Sequence, residues 1–459
     1  MTTTRVQRWA YGVPGLPLAM LGLPLYVYLP TFYAGPLGVD LALVGMALLL
    51  ARATDVVTDP LAGWLSDRWP GPGGRRKAPM LLGAVLLLVT AHFLFRPPEA
   101  TGFGYLLVAA VAVYLGWTLI TVPYTAWGAE LSGDYHGRSR ITAHREGWVI
   151  VGTVLAIALP AALGIADDST ATLDRAATAL WLLLPLTLLI CLTVVPEPAP
   201  TRRPTGWSES WRLLRANRPF QRLLSAYLFN GVANALPATL FLLFVTHVLD
   251  AEAWAGALLI AYFAAGIAGL PLWLAVARRT GKHRAWAGSM LLASAVFLTV
   301  PLLGQGDAAL FLVICLLSGL GLGADLALAA SLQADVVEWD GHHRGESRAG
   351  LFFGLWGMAT KLGLALAVGI AFPLLDWAGF AANAANTADG LLALALLYGA
   401  LPIVFKLVAI RLIWNFPLDR AALERLRETA TKESNHENAT VAVDTTRHNA
   451  AQRMCRHEA

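Results

Sequence analysis

LLLARATDVVTDPLAGWLSDR, residues 48–68, makes two opposed demands on one segment. It continues an apolar run that begins near residue 40, so the sequence predicts a helix over 40–66, long enough to cross a hydrocarbon layer of about 30 Å. Yet it carries Arg52, Asp55 and Asp59, and a charge at the bilayer centre costs at least about 2.5–3.5 kcal/mol on insertion scales. The three fall at i, i+3 and i+7, which is one stripe of a helix. A helix that is apolar elsewhere and charged along one line belongs inside a bundle, where each charge finds a partner, a water-filled cavity or a proton.

The rest of the 459-residue chain repeats the apolar half of that pattern. Hydrophobic residues make up 57% and charged ones 14%, with a mean hydropathy of +0.58, whereas soluble domains run at about 45–50% and about 25%. Further apolar blocks lie near 9–32, 78–97, 101–131, 146–167, 175–196, 220–248, 252–277, 284–304, 308–335, 347–375 and 388–414. The expected fold is an all-α membrane protein of twelve transmembrane helices. The 42 glycines suit helices that pack closely in lipid, and the 16 tryptophans suit rings at the membrane boundary. Cys191, Cys315 and Cys455 are far apart and show no ligand spacing, which argues against a zinc site or a disulfide framework. No small-residue cleavage site follows a short apolar run near the start, so no removable signal is read.

The basic residues cluster in alternate loops: Arg5 and Arg8, then Arg68, Arg75, Arg76 and Lys77, then Arg138, Arg140 and Arg145. Arg202, Arg203, Arg212, Arg215 and Arg218 fill a central linker, and Arg278, Arg279, Lys282, Arg284, Arg344 and Arg348 follow in the second half. Opposite loops carry Asp40, Asp167, Asp168, Asp250, Glu252, Asp307 and Asp389, with Arg96 and Arg175 as exceptions. The positive-inside rule then puts both termini and the linker in the cytoplasm of a bacterial inner membrane. It also accounts for the net charge of +4 without nucleic acid. Four segments result: a six-helix bundle over 1–196, a linker over 197–219, a second six-helix bundle over 220–414 and a cytoplasmic tail over 415–459. The tail opens as a short amphipathic helix and ends in a polar stretch expected to be disordered. The halves echo each other, DPLAGWLSDRWPGPGGRRKAP against AGLPLWLAVARRTGKHRAWAG, and GAELSGDYHGRSR against ADVVEWDGHHRGESR. Such internal symmetry is expected where two pseudo-symmetric halves rock about a site at the midplane.

Two carboxylates one turn apart, Asp55 and Asp59, can share a monovalent cation or hold a proton; alternatively Arg52 pairs with them structurally. Thr118, Thr121 and Thr125 share a face of the fourth helix and can offer hydroxyl oxygens to that pair, or bond their own helix carbonyls. Lys361 lies deep in the eleventh span beside Trp356 and needs a carboxylate, either Asp325 or the Asp55/Asp59 pair. Asn230 and Asn234, one turn apart, can contact substrate or neighbouring helices. Tyr26 and Tyr28 are the polar handles of the first span.

These residues resemble the glycoside–pentoside–hexuronide:cation symporters of the major facilitator superfamily, the family of the melibiose permease, from Tyr11 to about Arg425. ARATDVVTDPLAGWLSDR followed by GRRKAP carries the resemblance most specifically. Gly63, Asp67, Arg68, Gly74, Arg75 and Arg76 match the superfamily's loop signature, which the resemblance implies latches cytoplasmic helix ends. It further implies that Asp55 and Asp59 form the cation site with Thr118, and that Arg145 and Lys361 face substrate; Thr121 is counted with the cation site only because it shares the helix face of Thr118. The permease reads sugar hydroxyls with carboxylates where Ala19 and Thr121 stand here, so a less polar substrate, such as a lysolipid, is a second expectation. A third is a non-transporting sensor on the same scaffold.

The chemistry of an enzyme is missing from the sequence. His92 stands alone in a span, His136, His342 and His343 lack ligand spacing, and GPGG lacks the Lys-Ser/Thr of a phosphate loop. The expectation is a monomeric, cation-coupled symporter of a small molecule, using Na⁺ or H⁺ and no other cofactor.

Overall fold

A computed structural model describes residues 3–69, 74–98, 101–132, 134–166, 168–197, 206–344, 348–380, 386–425 and 428. Arg202, Arg203, Asp167, Cys455, the first three residues of GPGG and the tail beyond 428 lie outside these residues. All regular structure among the described residues is helical. The long helices are α1 (Arg5–Ala34), α2 (Leu41–Arg68), α3 (Lys77–Phe95), α4 (Phe103–Glu130), α5 (Tyr135–Ala162) and α6 (Ser169–Val194). A short helix at Trp207–Ala216 follows, then α7 (Arg218–His247), α8 (Ala255–Thr280), α9 (Lys282–Phe297), α10 (Ala308–Arg344), α11 (Ala349–Trp377) and α12 (Ala388–Ile413). Eleven helices among the described residues are long and apolar enough to cross a membrane; α2, at 28 residues, is equally long and carries the charged stripe. The chain is a multi-pass membrane protein. α1 is broken, with a π turn at Pro24–Tyr28, as expected where several prolines each remove an amide donor.

Three helices depart from the spans read by hydropathy. α5 starts at Tyr135, not near 146, because Asp134 in an extended conformation accepts from Gly137 N at 2.5 Å and caps it. α6 starts at Ser169, not near 175, with Asp168 accepting from Ala171 N at 2.9 Å. α10 runs on to Arg344 instead of stopping near 335. Its extension is charged but paired: Asp335 with Arg138 and Lys282, at 2.8 and 2.6 Å, and Asp340 with Arg348. Arg138, Arg140, Arg145 and Lys282 therefore sit on helices rather than in loops. The central linker is helical over Trp207–Ala216, and the start of the tail is helical over 420–425.

One apolar core is drawn wholly from residues between Ala10 and Val195, and another wholly from residues between Val232 and Tyr398. A third core is drawn chiefly from the second half but includes Ala126 of α4, and a small fourth cluster, Ala143, Ile150, Leu270 and Ala327, joins α5 to α8 and α10. The main crossing between the halves is α2 against α11. There Gly63 and Gly350 face each other so closely that a Cβ on Gly63 would lie 2.0 Å from the Gly350 carbonyl oxygen. Only glycine fits a backbone contact of that kind.

Candidate functional site

The site grows out of the α2–α11 crossing. One helical turn separates Asp55 from Asp59, so both side chains leave α2 on the same side. Each is 1% exposed. α11 comes against them through Gly354 and Gly357: a Cβ at 354 would lie 2.4 Å from the Asp59 carbonyl, and one at 357 would lie 3.0 Å from Asp59 Oδ2. One turn further along α11, Lys361 Nζ lies 2.9 Å from Asp55 Oδ2 and 2.8 Å from Asp59 Oδ2. From α4, the Thr118 hydroxyl donates to Asp59 Oδ1 at 2.7 Å.

Of the two carboxylate partners open to Lys361, the aspartate pair is the one it contacts; Asp325 is not. Arg52 does not neutralise the acids either. Its guanidinium lies 4.4 Å from the centre of the Tyr26 ring and 4.9 Å from that of Tyr114, a cation–π arrangement. Two buried carboxylates therefore share one ammonium. Asp55 Oδ1, though buried, has no hydrogen-bond partner among the described residues, and neither has the buried hydroxyl of Thr58. Buried polar atoms are nearly always satisfied, and an orphaned oxygen beside an excess negative charge has the chemistry to accept a proton or a small cation.

Thr121 and Thr125 do not join the cluster. Thr121 Oγ1 donates to the Trp117 carbonyl at 2.9 Å and Thr125 Oγ1 to that of Thr121 at 2.8 Å. Arg145 pairs with the neighbouring Glu146 beside Tyr11 and Tyr124. Trp356 stacks on Tyr227 from α7, with centroids 3.6 Å apart.

Asn230, Asn234 and Asp325 form a second polar cluster, in the other half. Asp325 accepts from Asn230 Nδ2 at 3.0 Å, Asn234 Nδ2 at 2.8 Å and Trp286 Nε1 at 2.7 Å. Lys406 Nζ, from α12, donates to Asn230 Oδ1 at 3.0 Å and Asn234 Oδ1 at 2.8 Å. Two carboxamides thus bridge an acid and a base, and the charges balance. Trp286 and Lys406 escape the sequence reading. Lys406 carries the signal that singles out Lys361, a lone lysine in an apolar run.

The loop signature closes the end of the bundle where the basic residues lie. Asp67 accepts from Gly350 N at 2.8 Å and Leu351 N at 3.0 Å, so its negative charge caps the positive end of α11. Arg76 Nη2 pairs with Asp67 at 2.7 Å and with Glu130 at 2.8 Å, and Arg75 pairs with Glu130 at 2.7 Å. Burial alone pulls the Arg76 guanidinium down, but Glu130 and Asp67 more than offset it and raise it, so it stays charged. Arg68 instead stacks on Trp64, 4.6 Å from the ring centre. At the same end Arg138 reaches Glu338 at 2.6 Å as well as Asp335, and Ser139 bonds Ser331 at 2.8 Å.

A family model described as MFS/sugar transport protein matches residues 10–420. The chain is 25% identical to the mouse sphingosine-1-phosphate transporter MFSD2B over 435 residues, 87% of this chain and 86% of that protein. It is 26% identical to the human sodium-dependent lysophosphatidylcholine symporter 1 over 454 residues, 87% of this chain and 81% of that one. Among solved structures, a bacterial homologue of the iron transporter ferroportin in an outward-facing state superposes with a TM-score of 0.68. It covers 90% of this chain and 99% of its own at 14% identity, a likeness of fold.

Proposed function

The chain belongs to the MFS/sugar transport protein family, and from that premise we propose that Asp55, Asp59 and Thr118 bind the cation that drives symport. The observation that carries this reading is the unbalanced cluster: two buried carboxylates, one ammonium and an orphaned Asp55 oxygen. A proton or Na⁺ at that oxygen balances the charge. With the cation absent, Lys361 holds both acids; with it present, the ammonium is released from one of them toward substrate. Because Lys361 comes from α11 and the aspartates from α2, that exchange alters a contact between the halves, as alternating access by a rocking pair of bundles, 1–196 and 220–414, requires. The arginine-rich end faces the cytoplasm of a bacterial inner membrane, with both termini on that side. The Asp67 and Arg138 contacts then form the cytoplasmic latch.

The family's description points to a sugar or another small polar solute. One observation favours a second reading, an amphiphile of the class named for the mouse and human relatives. The polar groups in position to meet sugar hydroxyls are occupied: Arg145 by Glu146, and Asn230, Asn234 and Asp325 by one another and Lys406. A cavity of 180 Å³ between α1, α5 and α6 is lined mainly by apolar side chains, with Arg175 among them. Thermal stabilisation of the purified protein by glycosides and by lysophospholipids, each with and without Na⁺ and at two pH values, separates these readings. A ligand adds stability as RT ln(1 + [L]/Kd). Cation-dependent stabilisation by one class identifies it, whereas no response to Na⁺ or pH with any ligand refutes the coupling site.

A further inference from the structure

The stretch ARRTGKHR, residues 277–284, makes a sharp corner between α8 and α9. Gly281 turns the chain at φ +89°, and α9 then begins without a side-chain cap. The first amides of a helix lack internal acceptors and form a positive pole. Here that pole borders a cavity of 540 Å³ walled on its far side by the chain that follows α12. His283 lines it, 6% exposed, and its Nδ1 has no hydrogen-bond partner among the described residues. The ring lies against Gly281, its Nδ1 3.7 Å from where a Cβ on that residue would be.

Four arginines against two carboxylates leave the charge around this cavity net positive. Arg278, Arg279 and Arg284 line it from the corner, and all three are exposed. The opposing wall supplies Asp419, whose Oδ1 already accepts from Ala422 N at 2.8 Å, and the pair Arg420–Glu424 at 2.6 Å. Arginines with a helix N-terminus and a buried imidazole are the donor set that tetrahedral oxyanions take. We propose that this cavity binds a phosphate-bearing anion. Two sources share that chemistry, an anionic phospholipid headgroup or a free phosphorylated compound. Trp414, 45% exposed on the cavity wall, favours the lipid, because tryptophan sits where headgroups meet acyl chains and basic pockets at that depth take anionic headgroups. The proposal stands apart from cation coupling, since none of its residues touches Asp55, Asp59 or Lys361.

The test uses the full chain in nanodiscs and in detergent, as wild type, as Arg279→Gln/Arg284→Gln, and as Arg212→Gln/Arg215→Gln on the linker helix as a charge-matched control. Binding of phosphatidylglycerol against phosphatidylcholine is read by native mass spectrometry, and binding of inorganic pyrophosphate by thermal shift. Phosphatidylglycerol is expected to be retained about tenfold better than phosphatidylcholine, and the corner variant to lose about that preference, as two charge-assisted contacts warrant. Stabilisation by pyrophosphate without lipid selectivity, lost in the corner variant, supports the site with a soluble ligand. Absence of both signals overturns the proposal. So does an equal loss in the linker control, which would make the attraction a diffuse field rather than a site.

Discussion

Replacing Lys361 by methionine keeps the length of the side chain and removes the ammonium that two acids share. In the wild type Lys361 Nζ lies 2.9 Å from Asp55 and 2.8 Å from Asp59, both 1% exposed. Truncating one partner of a buried pair costs about 3–5 kcal/mol, because a charge is left uncompensated. Lys361 is itself 27% exposed along its side chain, so part of that cost is screened and the lower part of the range applies. The variant can recover the loss by taking up a proton or a cation. At about 1.4 kcal/mol per tenfold, about 3 kcal/mol means that the cation should bind about 100 times more tightly than in the wild type. The assay is thermal unfolding of the purified protein against Na⁺ concentration at several pH values. Lys361→Met should melt lower than wild type without Na⁺ at high pH, and regain most of the difference in saturating Na⁺ or at low pH. An unchanged melting curve with unchanged Na⁺ and pH dependence would refute the charge arithmetic of the site.

Thr118→Val removes the hydroxyl that bonds Asp59 Oδ1 at 2.7 Å; losing one bond to a charged group costs about 1.5–3 kcal/mol, so the variant should melt lower than wild type without Na⁺ at high pH, with the deficit shrinking at low pH. Thr121→Val, whose hydroxyl bonds its own helix, should leave that pH dependence unchanged. Gly63→Ala puts a Cβ 2.0 Å from the Gly350 carbonyl; α2 and α11 must separate, and cysteine labelling of the basic end should accelerate. Lys406→Met should destabilise the second half by about 3 kcal/mol, while adding Asp325→Asn should restore much of that by removing the stranded charge. An additive double variant would mean the two groups are uncoupled.

The acid stripe was legible because helical spacing alone gathers Asp55 and Asp59 on one face, and a membrane makes any such gathering costly. Its neutralising partner was legible only as a pair of alternatives, since nothing in the sequence of α11 says which carboxylate Lys361 will meet. The glycines at 354 and 357, which bring α11 onto Asp59, are the clue that distinguishes them. Three helix ends depart from the hydropathy spans for one physical reason. Hydropathy ends a span at its first charges, but Asp134 and Asp168 cap helices that carry their charges inside, and Asp335 and Asp340 extend α10 because cations from outside α10 meet them. Pairings of that range, Arg138 with Asp335 for instance, leave no trace in local sequence. Arg52 shares the stripe and is the alternative counter-ion that spacing allows, yet two tyrosine rings from α1 and α4 hold it.

The most direct measurement is gradient-driven uptake into proteoliposomes of whichever ligand the thermal screen identifies, comparing wild type with Asp59→Asn under an imposed Na⁺ or H⁺ gradient. The wild type should accumulate substrate above equilibrium with one of the two gradients, and Asp59→Asn should at most equilibrate it. Full accumulation by Asp59→Asn would remove the aspartate pair from the coupling mechanism.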